Sequence, residues 1–299
     1  MPQRGGVDRT RSGVLAAVAA FSLWGILPIF WKLLSFLPSS TIVAQRTAWS
    51  LLLLLAVLRG RKEIGHLVAA LKSPKVFGWH LLSGCLLASN WLLYVWATLN
   101  GRIIEAALGY YLNPFFNMLF GALWFGDKNS PWQLAAIALA LAGVALQVPA
   151  IGHFPWVALT LAFTFSCYAV VRKQAPLGSL VGLAAETSLL APFALAWLLA
   201  SSSSVSTAFG GSWAHACLVI GTGLATALPL LLFGHATRTL RLTTLGILQF
   251  IGPTLQFFIG WKLYGEPMTG TRLLSFALIW LAIGVYAVDA NSRKAPLAA

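Results

Sequence analysis

The chain has 299 residues, of which 59% are hydrophobic and 9% are charged, and its mean hydropathy is +0.81. Because soluble domains carry about 25% charged residues, this composition excludes an ordinary soluble protein and predicts a chain embedded in a lipid bilayer. The formal net charge of +13 would suit a nucleic-acid-binding protein, but basic residues in membrane proteins mainly set orientation at the lipid surface. We therefore expect the bilayer, and no nucleic acid, as a partner.

Ten apolar segments are each long enough to cross about 30 Å of hydrocarbon as a helix. They fall at 12–34, 39–58, 76–99, 103–125, 131–149, 152–172, 179–200, 213–237, 242–264 and 271–289. Short connections, many of which carry Gly, Pro or Ser, separate them. The sequence thus predicts an all-α integral membrane protein with ten transmembrane helices.

The distribution of Lys and Arg residues predicts the orientation of these helices. If the amino terminus lies in the cytoplasm, fifteen of the twenty fall on the cytoplasmic side. The outer side has only Lys32, Arg102, Lys262 and Arg272, and Arg46 lies within a span. Since cytoplasmic loops of membrane proteins are rich in Lys and Arg, both termini are predicted to be cytoplasmic.

The chain aligns with itself at an offset of 139 residues, the separation of Pro253 from Pro114. Equivalent positions then carry the same or similar residues, as in Gly84 and Gly223, Ala97-Thr98 and Ala236-Thr237, Arg102 and Arg241, Gly121 and Gly260, and Gly126-Asp127 and Gly265-Glu266. This predicts two five-helix repeats at 12–149 and 152–289, flanked by cytoplasmic tails at 1–11 and 290–299. Because five is odd, the second repeat enters the membrane from the opposite side, the inverted arrangement common in secondary transporters.

A polar stripe follows one face of the fourth span and the equivalent face of the ninth. The fourth span places Tyr110, Asn113 and Asn117 on this stripe, and the ninth places Gln249 and Gln256 there. Small and polar residues also join membrane helices to each other, and this interpretation is favoured for the glycines of the stripe. For Asn117 and Gln256, near the middle of the membrane, we predict the wall of a solute cavity, with the other three beside them in the pathway.

Four of the prolines inside predicted spans are predicted to act as hinges: Pro28, Pro114, Pro229 and Pro253. A proline inside a helix removes one backbone hydrogen bond and clashes with the carbonyl group four residues earlier. A membrane tolerates this defect where protein or a water-filled cavity satisfies the freed backbone groups.

Other polar residues within the spans leave two interpretations open. Asn90 and Tyr94 in the third span, and Tyr168 in the sixth, suit either contacts between helices or a solute pathway. Arg46 and Glu186 occupy nearly equivalent places in the two repeats, where an ionisable side chain is costly and usually has a partner. They are predicted either to form an ion pair near the pseudo-two-fold axis or to face the cavity separately, in a structural role or in the handling of solute or protons.

No catalytic residue, metal site or cofactor is predicted. The sequence has no H-x-x-x-H or D-x-x-x-D motif and no Walker loop, so it lacks the usual residues for zinc or magnesium chemistry and for ATP-driven transport. A non-enzymatic transporter of a small-molecule solute is favoured. The alternative is a non-transporting membrane regulator or assembly partner that keeps the duplicated fold. The solute, proton coupling and the oligomeric state are left open.

Several motifs together resemble one transporter family. They are WGILPIFWK from Trp24, NWLLY from Asn90, LGYYLNPFFN from Leu108, CYAVVRK from Cys167, LGILQFIGPTLQFF from Leu245 and YGEP from Tyr264. Between about Ser12 and Asp289 the chain resembles the RarD-type permeases of the drug/metabolite transporter superfamily, which carry two EamA domains. The resemblance implies ten helices and a secondary permease of the bacterial inner membrane, with export as the expected direction. It also brings a chloramphenicol-sensitivity or -resistance label that says little about substrate.

The resemblance further implies a cavity lined mainly by helices one, three, four, six, eight and nine. One departure concerns the second span, where the family often has Glu-Ile-Leu-Ala-His-Arg and this chain has Thr41-Ile42-Val43-Ala44-Gln45-Arg46. The arginine is kept and the carboxylate is lost. Glu186 is therefore the main acidic candidate for coupling.

Overall fold

A computed structural model describes residues 4–126, 128–240 and 242–292. Asp127, Arg241, Arg293 and Lys294, used above for the repeat and the orientation, lie outside the described residues. The α-helices are α1 Arg4–Leu33, α2 Ser39–Gly60, α3 Ile64–Leu71, α4 Pro74–Leu99, α5 Ile103–Phe125, α6 Pro131–Ile151, α7 Trp156–Gln174, α8 Ser179–Ala200, α9 Ser202–Gly210, α10 Trp213–Thr239, α11 Leu242–Leu248, α12 Ile251–Phe258 and α13 Gly270–Ser292. A π-helical turn, Ile259–Leu263, continues α12.

The predicted all-helical class is confirmed, since every regular element in the described part of the chain is a helix. Most predicted spans coincide with one continuous helix, although α1 begins at Arg4, inside the segment predicted as a tail. Seven helices are long and apolar enough to cross a membrane, namely α1, α2, α4, α6, α8, α10 and α13. The count of ten spans stays a prediction, because α5, α7 and the segment 242–263 are not among these seven.

The ninth predicted span is interrupted, whereas the fourth is not. The turn at Gln249 and Phe250 separates α11 from α12, and Pro253 lies four residues after Gln249. A break at this place is expected, because the ring of a proline clashes with the carbonyl group of residue i−4. Pro114, in contrast, lies inside the continuous helix α5, as do Pro28 inside α1 and Pro229 inside α10.

The pattern of helix contacts stays the same when each helix is exchanged for its equivalent in the other half. α2 packs on α8, α5 on α12, and α6 on α13, so that each of these helices contacts its equivalent in the other half. Each of the remaining large contacts has an equivalent contact elsewhere. The contact of α5 with α7 corresponds to that of α12 with α1, and the contact of α1 with α10 corresponds to that of α7 with α4. In the same way, the contact of α2 with α10 corresponds to that of α8 with α4. A duplicated unit with a pseudo-two-fold axis would produce this pattern.

Glycines allow two of these equivalent helix pairs to approach closely. A Cβ atom built at Gly223 in α10 would lie 2.7 Å from the backbone carbonyl carbon of Trp49 in α2. A Cβ atom at the equivalent Gly84 in α4 would lie 3.4 Å from the backbone oxygen of Glu186 in α8. These two glycines therefore serve helix packing.

Candidate functional site

A cavity of about 540 Å³ lies where the two halves meet. Its described lining comes from four equivalent helices of each half, α1, α2, α4 and α5 with α7, α8, α10 and α12. The mutually packed α6 and α13 contribute no described lining residue. The volume is within the range of about 300–1,000 Å³ that is usual for small-molecule sites.

The structure brings most of the predicted pathway residues together in this lining. They are Asn90, Tyr94, Tyr110, Asn113, Tyr168, Gln249 and Gln256, joined by Arg46 and Pro253. Asn117 is exposed and is not part of the lining. It lies one helical turn from Asn113, about 6 Å along the axis of α5.

Several lining side chains also hold helices together. The Asn90 amide donates hydrogen bonds to the Leu161 carbonyl oxygen and to the Thr164 hydroxyl, each at 2.9 Å. The Gln256 amide donates to the Trp24 carbonyl oxygen at 3.1 Å. Contact between helices and lining of the cavity, treated as alternatives in the sequence, thus occur at the same residues.

Two lining amides keep a free acceptor atom. Asn113 Oδ1 and Gln256 Oε1 are buried and have no hydrogen-bond partner among the residues that the structure describes. A buried polar atom without a partner costs free energy, so these oxygens are suited to accept hydrogen bonds from a bound solute or from water.

Arg46 enters the cavity without an acidic partner in the described part of the chain. Its side chain is 4% exposed, and its guanidinium carbon lies 3.7 Å from the centroid of the Trp91 ring and 5.4 Å from that of Trp31. Its Nε has no hydrogen-bond partner. Trp91 lines the same cavity, so a charged guanidinium group lies on an aromatic wall.

Glu186 forms a separate buried cluster. Its carboxylate accepts a hydrogen bond from the Ser83 hydroxyl at 2.6 Å and lies 3.4 Å from Arg172 Nη1 and 3.6 Å from His80 Nδ1. The Tyr168 hydroxyl donates to the same carboxylate at 3.4 Å. Glu186 does not line the cavity, but Tyr168 and Arg172 do.

The predicted ion pair between Arg46 and Glu186 is therefore not formed. Helices α2 and α8 pack on each other as their equivalence predicts, yet Arg46 stacks on Trp91 and Glu186 pairs with Arg172. Positions 46 and 186 miss strict equivalence by one residue, and one residue turns a side chain by about 100° around a helix. The two charges consequently point to different neighbours.

The two ends of the cavity differ. At one end the lining residues Arg61, Ser179 and His235 are exposed, so the cavity opens there. Beyond the other end, the Lys32 amine donates a hydrogen bond to the Leu99 carbonyl oxygen at 3.2 Å. In the same region, the Glu105 carboxylate accepts a hydrogen bond from the backbone N–H of Val157 at 3.1 Å.

Comparison with known proteins identifies the family. The model of the EamA-like transporter family matches residues 11–148. An uncharacterized transporter of Pseudomonas aeruginosa is 43% identical over 96% of this chain and 97% of its own length. Protein RarD of Salmonella typhi is 37% identical over 94% of this chain and 96% of its own length. This chain belongs to the EamA-like transporter family.

The RarD resemblance found in the sequence is confirmed by these relatives. A solved crystal structure shares the fold of this RarD-type transporter with a TM-score of 0.61, at 20% identity over 94% of this chain and 99% of that one. Together with the seven apolar helices, the family makes the protein a multi-pass transporter of the bacterial inner membrane.

Sequence reasoning missed much of the wall of this RarD-type transporter. Trp24, Trp91, Phe165 and Phe233 line the cavity, but in the sequence they are indistinguishable from lipid-facing aromatics. His80, which contacts Glu186 outside the lining, was also missed. It lies ten residues before Asn90, which puts it about 80° around the helix from that side chain.

Proposed function

We propose that the protein is a secondary permease that exports a small organic solute by alternating access between two inverted five-helix repeats. The observation that carries this proposal is the cavity of about 540 Å³, lined by four helices from each half. A solute bound there contacts both halves. Movement of one half against the other would change which end of the cavity is open.

The packing pattern supports two exchangeable halves. Every large helix contact either joins equivalent helices or has an equivalent contact elsewhere. Such a molecule has two arrangements of similar energy, related by exchange of the roles of the repeats. The pairs α2 with α8, α5 with α12, and α6 with α13 would form the pseudo-axis, and Pro28, Pro114, Pro229 and Pro253 are the proposed hinges.

The charge distribution supports the orientation. The exposed mouth carries Arg61 and His235, beside Arg172, and both arginines belong to the side predicted to be cytoplasmic. Lys32 and Arg102, predicted to be outside, lie at the opposite end with Glu105. In this orientation both termini are cytoplasmic and the cavity is open to the cytoplasm, ready to accept a solute for export.

Proton coupling is proposed to use the Glu186 cluster. The carboxylate is 1% exposed and touches two residues of the cavity wall, Tyr168 and Arg172. Arg172 contacts the carboxylate and also lines the cavity, so movement of Arg172 during transport would change the contacts of Glu186.

A release experiment tests the proposal with a matched pair of variants. Proteoliposomes are loaded with amino acids, aromatic acids, sugars, nucleosides and chloramphenicol, and release is followed by mass spectrometry. Gly234 lines the cavity, and a Cβ atom built there meets nothing within 4 Å. Gly234→Trp should therefore fill the cavity without a backbone clash. Gly284 in α13 has equally free space but lies outside the lining, so Gly284→Trp is the control.

We expect wild type and Gly284→Trp to release at least one solute faster than empty liposomes, and Gly234→Trp to release it more slowly. If Gly234→Trp releases the solute as fast as wild type does, the solute does not pass through this cavity. No release of any solute, with or without a proton gradient, would contradict the permease and favour a regulator or assembly partner with the same fold.

A further inference from the structure

The charges around the cavity point to the chemical class of the solute. Arg46, Arg61 and Arg172 contribute to the lining, and no Asp or Glu occurs among its described residues. A pocket with cations and no carboxylate favours an anionic ligand.

The three arginines are not equivalent. Arg61 is exposed at the mouth, where water solvates its charge. Arg172 is 16% exposed and lies 3.4 Å from the Glu186 carboxylate. Arg46 is 4% exposed, and no ion pair to a described residue accompanies it. Arg46 is therefore the cation whose charge the described protein leaves without a carboxylate.

Aromatic rings compensate the Arg46 charge only in part. Its guanidinium carbon lies 3.7 Å from the centroid of the Trp91 ring and 5.4 Å from that of Trp31. A ring quadrupole attracts a cation but accepts none of the N–H hydrogen bonds of the guanidinium fork, and the buried Nε remains without an acceptor. The planar fork of arginine matches a carboxylate or a phosphate group in two parallel hydrogen bonds.

The rest of the wall favours an aromatic body on the same ligand. Trp24, Trp91, Tyr94, Tyr110, Phe165 and Phe233 line the cavity. Aromatic rings pack favourably edge to face or in offset stacks. The cavity holds a ligand of drug size, and one with a single aromatic ring can reach this wall while its acidic group stays near Arg46.

We propose that the solute of this permease is a small organic carboxylate with an aromatic body, and that its carboxylate pairs with Arg46. The inference rests on the proposed function, because it assigns the solute of the same cavity. It assigns Arg46 as the specificity-determining residue, with Trp91 holding the guanidinium plane in place. Free phosphates are disfavoured because a second negative charge has no second unpaired cation deep in the cavity.

Isothermal titration of the detergent-purified full chain tests this class with matched probes. They are 3-phenylpropanoate, its neutral amide 3-phenylpropanamide, the cation 3-phenylpropylamine, and propanoate, which has the carboxylate but no ring. Wild type should bind the aromatic acid about tenfold or more tightly than the amide, since a charge-assisted pair is lost. The amine and propanoate should bind more weakly still.

Three variants locate the preference. Arg46→Gln should bind acid and amide equally, while Arg61→Gln, at the exposed mouth, should keep the full preference. Arg46→Lys keeps the positive charge but lacks the planar guanidinium fork, so it should retain part of the preference for the acid over the amide. If Arg46→Gln does not yield folded protein, wild type and Arg46→Lys decide the question, because a preference unchanged in Arg46→Lys but lost in Arg61→Gln would overturn the assignment.

Equal binding of acid and amide by wild type would overturn the inference, as would an acid preference that survives Arg46→Gln. Failure of the permease itself looks different. If a neutral or cationic solute leaves proteoliposomes in a manner sensitive to Gly234→Trp and no carboxylate binds, the inference is wrong and the permease stands. If the carboxylate binds through Arg46 and nothing is released, the inference stands and the permease is wrong.

Discussion

The Glu266 carboxylate accepts hydrogen bonds from the backbone N–H groups of both Ile103 and Ile104. Glu266 precedes α13, whereas Ile103 and Ile104 begin α5, so the contact joins the second half of the chain to the first. The first N–H groups of a helix have no partner within the helix, and a negative charge is favoured at this end. One carboxylate thus satisfies two backbone donors across the junction of the halves.

This contact predicts a pH-dependent contribution to stability. Burial of Glu266 raises its carboxyl pKa above the usual range, although the two N–H donors, Arg272 and Lys32 oppose the shift. A carboxyl group whose pKa is higher in the folded state contributes stability that is complete below the unfolded pKa and is lost as pH rises through the folded pKa. We therefore expect the stability advantage of wild type over Glu266→Gln to shrink as pH rises from about 4.

Thermal unfolding in detergent at a series of pH values measures this advantage. The control is Glu63→Gln, because Glu63 is partly exposed and its side chain makes no capping hydrogen bond. An advantage over Glu266→Gln that stays constant or grows with pH would show that the protonated carboxyl group is not the favoured folded form.

The cluster around Glu186 predicts strong coupling between two charges. Arg172→Gln leaves the Glu186 carboxylate, 1% exposed, without its guanidinium partner. Removal of one member of a buried pair costs on the order of 3 kcal/mol, and we expect a clear fall in thermal stability. Glu186→Gln removes the stranded charge, so the double variant should recover part of the loss.

A double-mutant cycle of these two positions, followed by thermal unfolding, measures the coupling. Arg61→Gln is the matched control, because Arg61 is exposed and makes no ion pair with Glu186. Additive losses in the double variant would mean that the Arg172 guanidinium and the Glu186 carboxylate do not interact in solution.

Substitution of Gly182 should lower thermal stability through the same ion pair, between Arg172 and Glu186. A Cβ atom built at Gly182 in α8 would overlap the Arg172 guanidinium group, so Gly182→Ala should push this flexible side chain away from Glu186. We expect lower thermal stability in the wild-type background. In the Arg172→Gln background the overlap is gone, and alanine, the better helix former by about 1 kcal/mol, should be neutral or stabilising. Equal losses in both backgrounds would contradict this route.

The sequence predicts the helices well because their length and apolarity are local properties. The proline pattern alone does not predict where a helix breaks, since Pro253 follows a break at Gln249 and Phe250 whereas Pro114 lies inside the continuous helix α5. Nor does the sequence predict that Arg46 packs on Trp91 or that Glu186 pairs with Arg172. Those contacts depend on the rotation of α2 against α8 and on side chains from α4 and α7. Arg172 illustrates the difficulty, since in the sequence it is one of many basic residues at a helix end.

Asn117 and Gln256 show the same limit in the cavity. They are equivalent in the repeat, yet Gln256 lines the cavity and Asn117 is exposed. The offset shows which positions of the two halves are equivalent in sequence. In a structure whose cavity opens at one end only, equivalent positions have different surroundings. Equivalence in sequence therefore identifies candidate pairs without deciding which member faces the solute in a given arrangement.

Close helix packing predicts a graded effect of alanine at three glycines. Gly223→Ala would place a methyl group 2.7 Å from the Trp49 backbone. Because backbone cannot turn aside as a side chain does, α2 and α10 must separate, at a cost of about 1–3 kcal/mol. Gly84→Ala meets the Glu186 backbone oxygen at 3.4 Å and should cost less. Gly284→Ala meets nothing within 4 Å and should be neutral or slightly stabilising. Thermal unfolding in detergent ranks the three variants, and a Gly223→Ala protein as stable as Gly284→Ala would show that α2 and α10 do not approach this closely.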